Sequence, residues 1–312
     1  EMNISVLQNA SRSQIQYDPV PHIVIKNCLP EDYYKLLEKT FVSDKQIVNF
    51  NNGLLKKQDK NVRLKILFND IVSNKIKWEN SDKWTEFVKY HTSENFFKDL
   101  LRLFSPEIKT ICPILEPMLE NKLENVPVKC SEKNIVHDLK NSKSIFLEGD
   151  IGINTISNIT SSVRKYHVDG MQKFFGGLLY FKRQDDDAEG GDLEFYRLKY
   201  NQYSTVNKSV ELNKNQVELV SKIKYEANTG IFWLNSPGAI HNVTPRGPSK
   251  VSRRLVYFSG RVDDKTLFHR GLFPHFWPEQ EYWFLRIFKD LNPLIIHKYY
   301  KIKQFFKKIF KK

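Results

Sequence analysis

Residues 164–170 read RKYHVDG and place an imidazole and a carboxylate two positions apart. If this segment is a β-strand, side chains two positions apart project from the same face, so His167 and Asp169 would point into a common space. Imidazole nitrogens and carboxylate oxygens are both metal ligands, which makes the pair a candidate half-built metal site. The alternative is a strand that ends in a polar turn.

A non-heme iron site needs two imidazoles and one carboxylate on one face of an octahedron, with the other positions open. His167 and Asp169 would supply two of these ligands. Among the remaining histidines, His241 is the best placed, because it follows the apolar run TGIFWLN and a Pro-Gly turn and precedes another apolar run.

Two arginines, Arg253 and Arg254, stand at the start of the apolar run LVYF. A guanidinium that points from there into the protein interior would be costly without an anionic partner. The pair therefore predicts a carboxylate or phosphate ligand, and a dicarboxylate would meet the demand.

The elements that must position these residues lie in the second half of the chain, where short apolar runs alternate with turns. They predict strands near 151–156, 162–169, 174–182, 191–196, 230–234 and 254–261. DDDAEGG reads as a hairpin-type turn, and the polar segment 201–224 as an insertion between strands. Successive strands without intervening helices predict an antiparallel sandwich or barrel.

The first 125 residues read as mainly helical. A short strand over residues 22–26 precedes a helix that begins near Pro30, and a further helix is predicted around 63–72. Helical spacing returns in KWTEFVKYHTSENFFKDLLRLF, whose apolar positions are Trp84, Phe87, Phe97, Leu100, Leu101 and Phe104.

The composition of the 312-residue chain predicts one principal folded domain, since 40% of its residues are hydrophobic and 22 are phenylalanine. The three cysteines, Cys28, Cys112 and Cys130, show neither a CxxC spacing nor a Cys/His ligand pattern. Together with the lack of a signal-like N-terminus and of a long apolar run, this leads us to expect a reducing, cytoplasmic setting.

The net charge of +13 is concentrated at the end of the chain, where residues 298–312 contain seven lysines and no acid. The apolar residues of this tail follow helical spacing: Ile302, Phe305, Phe306, Ile309 and Phe310. Three interpretations remain open: a terminal helix packed on the body, an interfacial helix on an anionic membrane, and nucleic-acid binding. Nucleic acid is disfavoured as a partner because more than half of the excess charge lies in one tail.

HVD, the later HNVTP and a downstream arginine that opens a strand resemble the iron(II)- and 2-oxoglutarate-dependent dioxygenases, in particular their prolyl-hydroxylase-like branch. The resemblance covers residues 151–262, about a third of the chain. GGLLYFKR resembles the second core strand of that branch, and EGGDLEFY resembles its Gly-Gly strand opening. The segment PHIVIKNCLPEDYYKLLEKTF is also similar to the beginning of many such enzymes.

The resemblance implies an α+β fold with a double-stranded β-helix, or jelly roll, at residues 126–265. A mainly helical N-terminal region, 1–125, would pack on this core, and a C-terminal helical extension with the basic amphipathic tail would occupy 266–312. The resemblance also implies iron(II), 2-oxoglutarate and oxygen as the reaction partners, with ascorbate as a further candidate cofactor. Its iron ligands would be His167, Asp169 and His241.

The resemblance further implies that an arginine binds the distal carboxylate of 2-oxoglutarate. Arg254 is preferred to Arg253 because the family residue directly precedes the alternating strand, and Tyr180 occupies a place from which a hydroxyl often reaches the same carboxylate. The expected reaction hydroxylates an unactivated C–H bond and releases succinate and CO2. Because related halogenases lack the carboxylate ligand, Asp169 favours hydroxylation.

The acceptor stays open at this level. An amino-acid side chain, free or peptidyl, is the first expectation, and a sugar or lipid-linked glycan at a membrane surface is the alternative. A cupin-like metal-binding protein that is not an oxygenase is the competing class, and oxidative demethylation of nucleic acid is a third candidate.

Overall fold

The structure is a computed structural model that describes residues 4–51, 61–130, 143–199 and 211–262, together with positions 267 and 302. The predicted C-terminal helical extension lies almost entirely outside the described residues. Within them, the chain forms a mixed α/β arrangement of helices and two mainly antiparallel sheets. No helix among these residues combines the length and the apolar character that a membrane crossing requires.

Six helices belong to the described N-terminal part. They are α1 (Glu31–Lys39), α2 (Asp44–Phe50), α3 (Phe68–Val72), α4 (Ser81–His91), α5 (Glu94–Ile111) and α6 (Leu115–Leu119). Acidic residues in the first turn of α1 complement its helix dipole, and Ser43 caps α2 with its hydroxyl. The six apolar positions predicted from helical spacing in α4 and α5 are all buried, so the prediction of a helical region is confirmed there.

Twelve strands make up the two sheets. They are β1 (His22–Lys26), β2 (Arg63–Leu67), β3 (Val128–Cys130), β4 (Ile145–Asn154), β5 (Tyr166–His167), β6 (Lys173–Tyr180), β7 (Leu193–Leu198), β8 (Glu211–Leu212), β9 (Val217–Ile223), β10 (Thr229–Leu234), β11 (Ile240–Val243) and β12 (Arg253–Arg261). The first sheet has the order β1-β10-β6-β12-β4-β2, with β3 parallel to β4, and the second has the order β8-β5-β11-β7-β9.

The first sheet lies between two apolar layers. On one face, helical residues such as Leu37, Trp84 and Phe104 form a core with Ile151 and Phe258 of the sheet. On the other face, a second cluster joins side chains from both sheets, namely Leu178, Tyr180, Leu193, Phe195, Ile223, Tyr225, Ile231, Trp233 and Leu255. The two sheets therefore pack face to face, and the helices cover the outer side of the first sheet.

Four local predictions are wrong. DDDAEGG does not close a hairpin, because β6 before it and β7 after it belong to different sheets. The helix predicted around 63–72 is instead strand β2 followed by α3, because Leu64 and Ile66 alternate with polar neighbours at a period of two and are buried. The strand predicted over 162–169 is confined to Tyr166–His167. Residues 217–223 of the predicted insertion form β9, an edge strand that pairs with β7.

Two glycine positions shape the space between the sheets. A Cβ at Gly176 would lie 2.5 Å from the ring of Trp233, so the glycine leaves room for this indole next to β6. Gly191 has a φ of +80°, which is the left-handed region where a side chain is strained. Both positions fall within the Gly-Gly motifs that the sequence shows.

Candidate metal centre

The two predicted histidine ligands are neighbours across the second sheet. His167 of β5 and His241 of β11 are directly paired in register, and their ring centroids lie 4.3 Å apart. Asp169 follows β5 by two residues and joins them, so that potential ligand atoms of the three side chains all lie within 4.8 Å of one another. Their exposed fractions are only 6%, 9% and 5% for His167, Asp169 and His241. Among the described residues, no other group of histidines, cysteines and acids is arranged to hold a metal.

Backbone carbonyls fix the tautomer of both histidines. Nδ1 of His167 lies 2.8 Å from the carbonyl oxygen of Lys165, and Nδ1 of His241 lies 2.9 Å from that of Ala239. A carbonyl can only accept, so each Nδ1 carries the proton and each Nε2 keeps its lone pair for a metal. Burial lowers the pKa of both rings, and repulsion from His241 and Arg164 adds to the effect at His167, whose pKa falls to about 3.

The carboxylate of Asp169 is held by a hydrogen-bonded chain. The Tyr257 hydroxyl donates to Oδ2 of Asp169 at 2.8 Å, and Nζ of Lys173 donates to the Tyr257 oxygen at 3.1 Å. Burial alone would raise the pKa of Asp169, but His241, Lys173, His167 and the Tyr257 hydrogen bond outweigh it and lower the pKa to about 2. Two neutral imidazoles and one ionised carboxylate fit the donor set of a non-heme iron site.

Arg253 extends from β12 into the space between the sheets. It is 2% exposed, and its Nε donates to the carbonyl oxygen of Gly191 at 3.0 Å. The guanidinium lies 4.9 Å from the ring centroid of Tyr180 and 4.7 Å from that of Tyr225. Its Nη2 has no hydrogen-bond partner among the described residues. A buried cation with an unpaired donor is unfavourable without an anionic partner, so we expect a ligand with an anionic group at this position. Burial also lowers the pKa of Arg253.

Arg254, the arginine preferred from the sequence, lies on the opposite face of β12 from Arg253 and does not line the cavity of the metal ligands. Its guanidinium lies 5.0 Å from the ring centroid of Phe41 and 3.8 Å from Asp44, both from the helical layer. Neighbouring residues of a strand point to opposite faces, and it is Arg253 that shares the interior with the three ligands.

Tyr180 lies beside Arg253 but is not among the residues that line the cavity of the metal ligands. Its hydroxyl is buried and has no hydrogen-bond partner among the described residues. Burial raises the pKa of Tyr180 to about 12, so the hydroxyl keeps its proton and can donate. A role in carboxylate binding stays a prediction.

The metal ligands and Arg253 open into one cavity of about 320 Å³. Its apolar wall consists of Leu178, Leu193, Trp233 and Leu255, and Nε1 of Trp233 is a second buried donor without a partner in the described part. The polar residues of the lining include Asn154, Lys173 and Tyr257. A ligand carboxylate at Arg253 would occupy the same cavity as the metal ligands and the apolar residues Leu178, Leu193, Trp233 and Leu255.

The predictions from the sequence did not single out Tyr257, Lys173 or Trp233. A signal for Tyr257 exists, because in RRLVYFSGR it stands four positions after Arg253 and therefore on the same face of a strand. No comparable signal marks Lys173, since its contact with Tyr257 depends on the pairing of β6 with β12.

No protein-family model and no curated protein sequence matches the chain. Solved structures with a similar arrangement include a prolyl 4-hydroxylase from Phytophthora capsici, at 14% identity over 85% of this chain and 67% of that one, with a TM-score of 0.44. A prolyl hydroxylase from Trichoplax adhaerens, in complex with a hypoxia inducible factor peptide, shows 11% identity over 81% and 90% of the chains, with a TM-score of 0.41.

HygX from Streptomyces hygroscopicus, with nickel and 2-oxoglutarate bound, shows 11% identity over 79% of this chain and 84% of that one, with a TM-score of 0.35. Identities this low and TM-scores below 0.5 leave the function to be argued from the site itself.

Proposed function

We propose that the protein is an iron(II)- and 2-oxoglutarate-dependent dioxygenase and that its two sheets form a double-stranded β-helix. The observation that carries the proposal is the meeting, in one cavity, of the His167–Asp169–His241 cluster with the unpaired guanidinium edge of Arg253. The cluster supplies the donor set for iron, and Arg253 supplies a partner for a carboxylate.

When bound, iron(II) with 2-oxoglutarate and O2 supplies oxidative decarboxylation to succinate and CO2, with the second oxygen atom transferred to a C–H bond of the acceptor. The side chains of this protein would bind the metal ion and orient 2-oxoglutarate. His167 and His241 present Nε2, and Asp169 presents the carboxylate oxygen that Tyr257 leaves free. Arg253 receives the distal carboxylate of 2-oxoglutarate, and the apolar wall with Trp233 excludes water.

Asp169 supports hydroxylation as the outcome, because the carboxylate takes the position that a halide would need in a halogenase. The buried, half-paired Arg253 lines the same cavity as the metal ligands, and this favours an oxygenase that binds 2-oxoglutarate over a cupin-like protein without oxygenase activity. An amino-acid side chain or a related small molecule is the acceptor that we propose, with a sugar or lipid-linked glycan as the alternative. Cytoplasmic location, contact of the tail with an anionic membrane, and a need for ascorbate stay predictions from the sequence.

The test is formation of succinate from 2-oxoglutarate by the full chain with iron(II) and O2, first without an added acceptor. We expect slow, iron-dependent succinate formation in the wild type and none in Asp169→Ala. Binding of Mn(II), followed by electron paramagnetic resonance, gives a readout that does not depend on turnover. Absence of iron-dependent succinate, together with equal Mn(II) binding by wild type and Asp169→Ala, would sink the proposal.

A further inference from the structure

A second cavity, of about 310 Å³, adjoins the cavity of the metal ligands. The two cavities share four lining residues: Lys65, Asp150, Lys173 and Tyr257. Tyr257 is the residue that donates to Asp169, so the second cavity begins one side chain away from the metal ligands. Its volume lies at the lower end of the range for small-molecule sites, about 300–1,000 Å³.

Strand β12 sets the order of the three regions. Arg253, Tyr257 and Arg261 all point to its inner face, because they stand four positions apart, and each step of four residues spans about 13 Å. Arg253 lies at the end that we assign to 2-oxoglutarate, Tyr257 lies at the metal ligands, and Arg261 lines the second cavity. A molecule in the second cavity would therefore approach the metal from the side opposite Arg253.

The lining of the second cavity includes Leu67 and Phe68 but also five charged side chains, most of which are paired with one another. Glu148 accepts from Ser259 at 3.0 Å and from Arg261 at 2.9 Å, and it lies 3.2 Å from Lys173. Asp150 pairs with Arg63. An apolar ligand would strip water from these half-buried charges without replacing its hydrogen bonds, which is unfavourable. The acceptor that fits is hydrophilic.

Cations outnumber anions around the joined cavities. Apart from Arg253 and the metal ligands, the lining contains five cations against the two carboxylates Glu148 and Asp150: Arg63, Lys65, Arg164, Lys173 and Arg261. Arg63, Lys173 and Arg261 are engaged by these carboxylates, whereas Lys65 and Arg164 have no ion pair within the described ranges. The excess charge is positive and therefore complementary to an anion.

Lys65 lies on strand β2 and Arg164 lies in the loop before β5, and both line the cavity of the metal ligands. The side-chain amide of Asn61 donates to the carbonyl oxygen of Ser161 at 2.8 Å, which ties the start of β2 to the loop before β5. Lys65 stands four residues after one partner of this link, and Arg164 three residues after the other. Both side chains line the cavity of the metal ligands, and Lys65 lines the second cavity as well.

We propose that the joined space takes a small hydrophilic acceptor that carries an oxyanion group, a carboxylate or a phosphate, and that Lys65 and Arg164 bind this group. The inference rests on the proposed function, because it makes the bound molecule the acceptor of the dioxygenase. Lys65 and Arg164 are then residues that determine specificity, separate from the arginine assigned to 2-oxoglutarate.

The test uses three probes that share one methyl group: acetate, methyl phosphate and neutral acetamide. Their binding to the full chain is measured by saturation-transfer NMR, with 2-oxoglutarate in excess and without oxygen. We expect at least one anion to bind roughly tenfold more tightly than acetamide, the weight of one charge-assisted hydrogen bond. The preferred anion identifies the oxyanion as carboxylate or phosphate.

Two variants with the same change of charge locate the site. Lys65→Gln should abolish the preference for the anion, and Lys45→Gln should keep it, because Lys45 is exposed on the neighbouring helix α2 and lines neither cavity. The same measurement in Arg253→Gln, without 2-oxoglutarate, removes the other candidate anion site. Equal binding of all three probes, or an anion preference that survives Lys65→Gln, overturns the inference.

Mn(II) then reports whether the anion lies near the metal. We expect bound Mn(II) to broaden the methyl signal of the preferred anion in the wild type and in Lys45→Gln, and much less in Lys65→Gln. Failure of the chain to bind Mn(II) overturns the proposed function and the acceptor role together. Mn(II) binding without selective retention of an anion overturns only the acceptor inference.

Discussion

The two faces of the first sheet differ in what their side chains do. On strand β12, Val256 and Phe258 point toward the helices and are 0% and 1% exposed in an apolar core. Arg253 and Tyr257, from the same strand, point into the cavity and carry charge or a hydrogen bond to a metal ligand. One face of β12 packs into an apolar core, while the other face combines apolar packing with polar groups that line the cavity.

Buried histidines show the same contrast. On the helical side, Nδ1 of His91 lies 2.7 Å from the carbonyl oxygen of Phe87, and its Nε2 accepts from the backbone N–H of Val6 at 3.1 Å. His167 and His241 make the first kind of bond, but no described residue donates to their Nε2 atoms. His91 is thus a satisfied core residue, and the other two are left ready for a metal.

The largest expected effect is on the helical face. Phe258→Ala should lower the free energy of unfolding by about 3–5 kcal/mol, because it leaves a cavity among Phe68, Phe87 and Phe232. Urea unfolding followed by circular dichroism measures the change. The Mn(II) affinity of the folded variant should stay within about twofold of wild type, since the ring does not line the metal cavity. A strong loss of metal affinity would contradict the division between the two faces.

On the cavity face, Arg253→Lys should weaken 2-oxoglutarate binding by about 10- to 100-fold, because an ammonium cannot offer the paired donors of the guanidinium fork. Calorimetric titration with Mn(II) present and oxygen absent measures the affinity. Arg254→Lys is the matched control and should leave the affinity nearly unchanged, since that side chain faces Phe41 and Asp44. The reverse result would restore the assignment to Arg254.

Tyr257→Phe should lower Mn(II) affinity by about tenfold, since loss of a hydrogen bond that orients a ligand typically costs 10- to 100-fold. The fraction of free Mn(II), read by electron paramagnetic resonance, measures it. Tyr225→Phe removes a hydroxyl that also lies between the sheets but bonds to the backbone of Arg254, so it should not affect the metal. Equal effects of the two substitutions would mean that the hydroxyl of Tyr257 does not position Asp169.

The smallest expected effect is the loss of stability at low pH. Burial lowers the pKa of the buried histidines His22, His91, His167 and His241, in the case of His91 to about 3. The unfolded chain then takes up protons first, so the stability is complete above the unfolded pKa of about 6.5 and is lost as the pH falls toward the folded values. A histidine whose folded pKa is about 3, such as His91, lowers the free energy of unfolding by about 1 kcal/mol at about pH 5.5.

Urea unfolding of the metal-free chain measures this loss, when it is carried out at about pH 5.5 and again at a pH above the unfolded pKa of about 6.5. His91→Gln should reduce the pH dependence of the free energy of unfolding by the contribution of this one histidine. The Mn(II) affinity should stay unchanged. A slope that does not differ from that of wild type would mean that His91 is already protonated in the folded chain.

Local sequence patterns predicted much of the secondary structure and the three residues at the centre of the candidate site. Strand β1 coincides with the strand predicted over residues 22–26, and the helical spacing of α4 and α5 identified their buried residues. The order of His167, Asp169 and His241 along the chain pointed to a common cluster, although the strand that was meant to align the first two is only two residues long. Such signals are read from the sequence because helix and strand periods are local properties.

The amino-acid sequence alone defines the residue types of the candidate site: two imidazoles, one carboxylate and an arginine near the start of a strand. Only the tertiary structure decided which arginine is interior, because a shift of one residue along a strand exchanges its two faces. It also decided that Tyr257 and Lys173 support Asp169 and that Lys65 and Arg164 line one cavity, since these contacts join segments far apart in the chain. Long-range pairing, and not local preference, brings those groups together.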